Sequence, residues 1–505
     1  MGWFGRRQRM EPPHPRKEPR IDLPITEENI CAVFRDAADF TVRTASLGGD
    51  PKRPVTVFYI QGMVRGERAN DYLLRPLAQD AALAAADYDE VYRMMRDGAL
   101  YNLSVSERTT MDEVAFDLVE GCAVLLFPGK PAVLSFSVAT EEKRSVSQPE
   151  NETSVKGARD SFVESLRTNT SLVRRRMRAP ELCIKEHKVG RQTVTPVDVL
   201  YLDGIANPGI VAEVERKVAG IDVAALLSAG YLEQYITDES ATPFPLTYFT
   251  ERPDRFCAGL VEGRVGILVD GISVGWLLPA TVDLFFSTEQ DVSSGWVTSS
   301  VLLVLRYLCL LITLLLPALY IAAVTFHPEM LPAALMQSIA SAKRSVPFGT
   351  VFEVLLLLAA FEILQEAGRY LPAAIGQTAS ILGGLVVGTA AVEARIVSPA
   401  VLVAVAIAGV AGYTQPNQDF AGALRIWRFL LAVFAALGGL PAVALGTAWL
   451  LCHLGSLETF GVPYLTPFAS AAGEQVEGHA VIRQPLPRVK LRHNYLKTGN
   501  RRNQR

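Results

Sequence analysis

The chain has 505 residues, half of them hydrophobic and 20% charged, and its 49 Lys and Arg nearly balance 52 Asp and Glu for a net charge of −3. That length allows more than one domain, and the near-balance gives no global signal for a nucleic-acid partner. A mean hydropathy of +0.22 is a mild excess over a soluble enzyme, but almost all charge lies before Trp296 or after Glu474, so a soluble half is joined to a membrane half.

The first stretch, 1–24, is basic and Pro-rich and reads as disordered. No apolar run follows it, so it is not a secretory signal. The first segment able to engage a membrane lies near Val301, which places the N-terminal half in the cytoplasm. The six cysteines (Cys31, Cys122, Cys183, Cys257, Cys309 and Cys452) show no CxxC spacing. With dispersed histidines they give neither a metal signature nor a disulfide framework, as expected in a reducing compartment.

Residues 25–150 and 181–298 read as two copies of one α/β module. Val57–Val64 aligns with Val199–Ala206, and Gly121–Gly129 with Gly263–Gly271, both at an offset of 142 residues (204 − 62 and 263 − 121). A repeat of this kind is to be recognised before the fold is assigned. In each copy a β-branched and aromatic strand ends at a glycine, a helical stripe follows (Ile210, Val214, Val218, Ile221), and a hairpin closes the module at Pro-Gly-Lys or Asp-Gly. Between the copies, 151–180 predicts a connector, with one amphipathic helix over Val155–Arg178 and Phe162, Leu166, Val173 and Met177 on its apolar face. The run Arg174-Arg175-Arg176-Met177-Arg178 fits a solvated helix end or an anionic partner.

The membrane domain, 299–470, holds about five predicted spans: Tyr307–Phe326, Pro347–Leu364, Tyr370–Val392, Ile396–Gln418 and Phe429–Cys452. Met330–Ala342 is too short to cross and reads as interfacial or re-entrant. In the third span Gly376, Ser380, Gly384 and Gly388 recur every four residues, which suits tight helix packing or a pore lining. Glu353, Glu362 and Glu366 are the pore or gating candidates. A carboxylate at the bilayer centre costs roughly 2.5–3.5 kcal/mol, so each faces a cation path, makes an interhelical hydrogen bond or anchors at headgroup level. Arg369 is spaced to pair with Glu366. The basic tail, 471–505, favours the cytoplasm, whereas five spans from a cytoplasmic start end outside. A re-entrant segment or an exceptional tail would reconcile the two.

Several runs, in order, resemble the GerA family of spore germination proteins, the A subunits of nutrient-germinant receptors. They are Lys156–Asn169 (KGARDSFVESLRTN), Thr250–Arg255 (TERPDR), Glu262–Gly271 (EGRVGILVDG), Leu316–Ala322, Phe326–Met330, Phe361–Gly368 and Phe460–Leu465, which together cover roughly 25–470. Gly157-Ala158-Arg159 stands where the family usually has Gly-Pro-Arg, and the long basic tail is also a departure. The resemblance implies a multi-pass protein of the spore inner membrane that works with a transporter-like B subunit and a lipoprotein C subunit. It further implies a homo-oligomer around an ion-conducting pore, with nutrient recognition mainly in the B subunit. Rival readings are an accessory or scaffold paralogue, a secondary transporter and a membrane-anchored enzyme. No repeat among the spans favours a transporter. No P-loop, GxSxG or HExxH favours an enzyme, so no catalytic residue, cofactor or metal is expected.

Overall fold

Alternating β-branched and aromatic residues build two five-stranded antiparallel sheets. The structure is a computed structural model that describes residues 21–98, 103–139, 149, 152, 156–239, 241–370, 388–468 and 482–502. Strands β1 (Phe40–Ser46), β2 (Pro54–Ile60), β3 (Val105–Arg108), β4 (Cys122–Leu126) and β5 (Val133–Ser137) lie in the order β1-β2-β4-β5-β3. Strands β6 (Leu182–Val189), β7 (Thr195–Leu202), β8 (Tyr248–Thr250), β9 (Val265–Val269) and β10 (Gly275–Leu278) repeat that order as β6-β7-β9-β10-β8. The repeat extends to register: Val57 faces Leu125 as Val199 faces Ile267.

Helix α1 (Met111–Glu120) starts at a Thr110/Glu113 capping box and ends at Gly121, whose φ of 93° is left-handed. A side chain there is excluded twice, by that φ and because its Cβ would lie 2.7 Å from the Met63 carbonyl oxygen. Helix α2 (Leu166–Arg176) is the connector. It begins eleven residues later than the apolar pattern predicts, because the segment before it is pinned in an extended form. Phe162 N donates to the Glu251 carbonyl (2.8 Å), Asn169 clasps the Val163 backbone, and Leu166 N donates to Asp270 (3.0 Å). These tertiary bonds outweigh local helix propensity. The arginine run is largely committed inside the fold. Arg174 is fully buried and grips Asp39 of the first module through two bonds of 2.6 and 2.7 Å, while Arg176 pairs with Asp160 and Arg178 with Glu120.

The first sheet keeps a separate apolar cluster on each face. In the second, one face packs on α3 (Pro208–Ala219), through Val214 and Val218 of the predicted stripe. The other face, with Phe256 and Leu260 of α4 (Pro253–Glu262), runs without a break into the helical region.

That region contains α5 (Trp296–Thr325), α6 (Ala333–Lys343), α7 (Thr350–Tyr370), α8 (Pro399–Gly412) and α9 (Gln418–Ser456). Among the described residues, α5 and α9 are long and apolar enough to cross a membrane. The predicted single span Phe429–Cys452 is instead divided between two legs of α9. Helix α9 breaks at Gly438 and Gly439, the latter at φ 61° and ψ −145°, and folds back as a hairpin. Trp427 and Trp449 consequently touch across the legs, with ring centroids 5.0 Å apart. The first leg leaves the second module beside Phe285 and Phe286 and reaches Phe326 at the break. The second leg returns to Thr242 and Phe244 at His453. The leg Gln418–Leu437 is about 30 Å long at 1.5 Å per residue.

Residues 482–502 of the basic tail pack on the second module. Tyr495 donates to Asp283 (3.0 Å), Arg492 reaches the Val261 carbonyl (2.7 Å), and Arg483 bonds the Asp291 carbonyl and Ser300. The α/β region and the tail therefore sit at the same end of the helices.

Candidate functional site

Helix α7 carries all three acidic candidates, and a helix places Glu353 and Glu362 about 14 Å apart along its axis. They do not form one site. Glu353 is fully buried. Its Oε2 accepts from the backbone N–H of Ser398 (2.7 Å), the N-cap of α8, so the helix N-terminus helps to hold the negative charge. Its Oε1 has no hydrogen-bond partner.

Glu362 is held by two cations from the first leg of α9. Arg428 bonds one carboxylate oxygen, and Arg425 reaches the other at 3.3 Å and Gln365 at 2.8 Å. Arg428 is almost fully buried while the Glu362 side chain is 34% exposed, so it is loss of the carboxylate that would strand a buried cation. The trio borders an apolar-walled cavity of about 620 Å³ between α7, α8 and α9 that also meets Tyr413 and Gln415. Glu366 instead lines an open cleft of about 790 Å³ with Glu233, Glu362 and Asp419, where α7 and α9 meet the second module. Burial pushes the Glu233 carboxyl above its ordinary value, and its bond from the Trp276 indole opposes that rise.

Gly376, Ser380 and Gly384 lie outside the described residues, and so does the side chain of Arg369. Gly388 faces α8, where an added Cβ would meet Leu402 at 3.6 Å, an ordinary packing distance.

Arg425 and Arg428, the partners of Glu362, are the side chains that sequence reasoning missed. The residues themselves were visible: two arginines three residues apart share a helix face just before an apolar run, where one carboxylate on a neighbouring helix can pair with both. Their predicted place as flanks of a span at Phe429 hid this.

A profile described as "Bacillus/Clostridium GerA spore germination protein" matches residues 28–495. The chain is 35% identical to "Spore germination protein KA" of Bacillus subtilis over 473 residues, covering 93% of this chain and 86% of that one. It is 36% identical to "Spore germination protein B1" of the same organism, covering 88% and 91%. It is also 36% identical to a B. subtilis "Uncharacterized membrane protein YfkQ", covering 89% and 86%. Among solved structures, the N-terminal domain of the A subunit of the Bacillus megaterium spore germinant receptor GerK3 is similar. That likeness has 31% identity and a TM-score of 0.40, and covers 50% of this chain and 92% of that one.

Proposed function

Because this chain belongs to the GerA family of spore germination proteins, we propose that it is a germinant-receptor A subunit that converts nutrient binding into ion release. The observation that carries this reading is the family match across 28–495, which spans both sheets and the helical region. On this reading the protein is multi-pass in the spore inner membrane, with the α/β modules in the cytoplasm. It works with a transporter-like B subunit and a lipoprotein C subunit.

Its helical regions assemble as a homo-oligomer into a ligand-gated channel. Glu353, Glu362 and Glu366 are the pore or gating residues, and the Gly376, Ser380, Gly384 and Gly388 face packs neighbouring helices. Glu353 is the better cation candidate, since one of its oxygens is uncommitted, whereas Glu362 is countered by two guanidinium groups and suits a gate. The hairpin of α9 supports an even number of crossings, which keeps the basic tail on the cytoplasmic side with the modules.

The test is ion flux through the full chain in liposomes, alone and with its B and C partners. Nutrient-dependent flux that Glu353→Gln alters is the expected result. Absence of flux from verified, oriented oligomers would overturn the channel and favour a scaffold subunit.

A further inference from the structure

Two cavities adjoin where the second module meets the helices. The first, of about 300 Å³, lies between Arg255 and Glu289 on the module side and Arg306 of α5. The second is the cavity of about 620 Å³ between α7, α8 and α9, which reaches Arg425 and Arg428. Tyr413, Gln415 and Pro416, in the loop between α8 and α9, belong to the walls of both.

Four polar atoms along these walls have no hydrogen-bond partner: Arg255 Nε, Glu289 Oε2, Gln415 Oε1 and Thr313 Oγ1. Arg255, Gln415 and Thr313 are each more than nine-tenths buried. The four follow one another in depth. Arg255 and Glu289 stand on the module side, and Gln415 is fixed by a bond from its Nε2 to the Arg306 carbonyl (3.1 Å). Thr313 is seven residues beyond Arg306 on α5, about 10 Å deeper. It faces Gly412, where a Cβ would lie 3.4 Å from the threonine methyl group. Past Thr313 the space closes, because Phe361 packs so tightly on Gly409 that a Cβ there would fall 2.6 Å from its ring.

The unmet atoms differ in role: a donor on a cation, an oxygen of a carboxylate, an amide oxygen and a hydroxyl. An ion of either sign would meet like charge at Arg255 or Glu289, and a lipid chain would leave all four unmet. Water both donates and accepts, so it satisfies each. Both cavities far exceed the roughly 10–15 Å³ that one water needs, and buried polar atoms are nearly always hydrogen-bonded, to water where protein supplies no partner. We propose that the two cavities form one water-filled vestibule inside the single chain, running from the module junction past Gln415 to Thr313 and the arginine face of α9. It lies within one protomer, so it stands whether or not several copies enclose a pore. It brings water to Arg425 and Arg428, the partners of Glu362, between helices that are otherwise apolar.

The experiment is water-edited solid-state NMR on the full chain in lipid nanodiscs, with threonine and glutamine labelled. Magnetisation from water is expected to reach the Thr313 and Gln415 side chains within about twofold of the rate for exposed Gln192. It should arrive at least fivefold faster than at Thr447 on the second leg of α9, whose hydroxyl already bonds the Val443 carbonyl (2.8 Å). Gly412→Leu places a side chain against Thr313 and is expected to slow transfer to Thr313 at least threefold, while Gln415 keeps the parent rate. Transfer to Thr313 as slow as to Thr447 would overturn the proposal, as would transfer from lipid acyl protons instead of water. A Gly412→Leu protein that elutes like the parent, with Thr313 as wet as before, would overturn it too. If that variant does not elute like the parent, the Thr313 rate in the parent decides alone.

Discussion

Gly62 and Gly204 end equivalent strands in equivalent left-handed turns, yet different parts of the chain cover them. Gly62 packs under the connector, with its Cβ position 3.1 Å from the Arg167 carbonyl. Gly204 meets the C-terminal tail, where a Cβ on Gly499 would lie 2.9 Å from its carbonyl oxygen. The first sheet closes its core on itself, whereas the second shares one cluster with α2, α4, α5, α7 and α9. Duplication thus supplied two copies of one fold, and burial joined one of them to the helical region. A change in helix packing is therefore expected to reach the second module before the first.

Breaking the far end of that shared cluster gives the largest effect. Gly439 holds a backbone conformation essentially restricted to glycine, and its Cβ would fall 2.8 Å from that of Phe326. Gly439→Val is expected to abolish the native elution peak in detergent gel filtration, while limited proteolysis still yields an intact first module. Next comes the joint between the modules. Arg174→Leu leaves Asp39 buried without its partner, which typically costs about 3–5 kcal/mol. Chemical denaturation should show this, and Arg174→Leu with Asp39→Leu together should recover most of it.

The strand pattern, the turn glycines and the 142-residue offset were all legible, because a buried sheet writes its period and its turns into local sequence. The connector was misjudged at Phe162–Ser165, where bonds to Glu251 and Asp270, distant in sequence, override an apolar stripe. The hairpin in α9 was missed because Gly438-Gly439 and Pro441 sit inside an unbroken apolar run, and hydropathy records composition rather than direction. Arg425 and Arg428 were visible as residues, but their partner lies some sixty positions earlier on another helix. The tail's basic composition said nothing of Tyr495 and Leu496, which anchor it.

Smaller changes sharpen the comparison. Removing residues 481–505 uncovers the second module and the start of α5, and leaves the first module covered as before. Loss of buried Leu496 by itself is expected to cost about 2–3 kcal/mol, read as earlier unfolding of the second module with the first unchanged. The smallest effect is a pH slope. Asp198 on β7 has its carboxyl pushed up to about 7 by burial; Arg167 pulls it down, while Glu186, Asp39 and Asp270 add to the rise. The same position in the first module is Thr56, which does not titrate. With its folded value above the unfolded one, Asp198 holds an extra proton in the folded state between about pH 4 and 7. Stability should therefore fall as pH rises through that window, by up to about 1.4 kcal/mol per unit. Asp198→Asn should flatten that slope in melts taken across the window.

Hydrogen–deuterium exchange of the full chain in nanodiscs, with and without Glu362→Gln, tests the coupling most directly. Faster exchange over 248–290 with no change over 105–137 is the predicted result. Equal change in both modules, or none in either, would contradict the assignment of the second module as the partner of the helices.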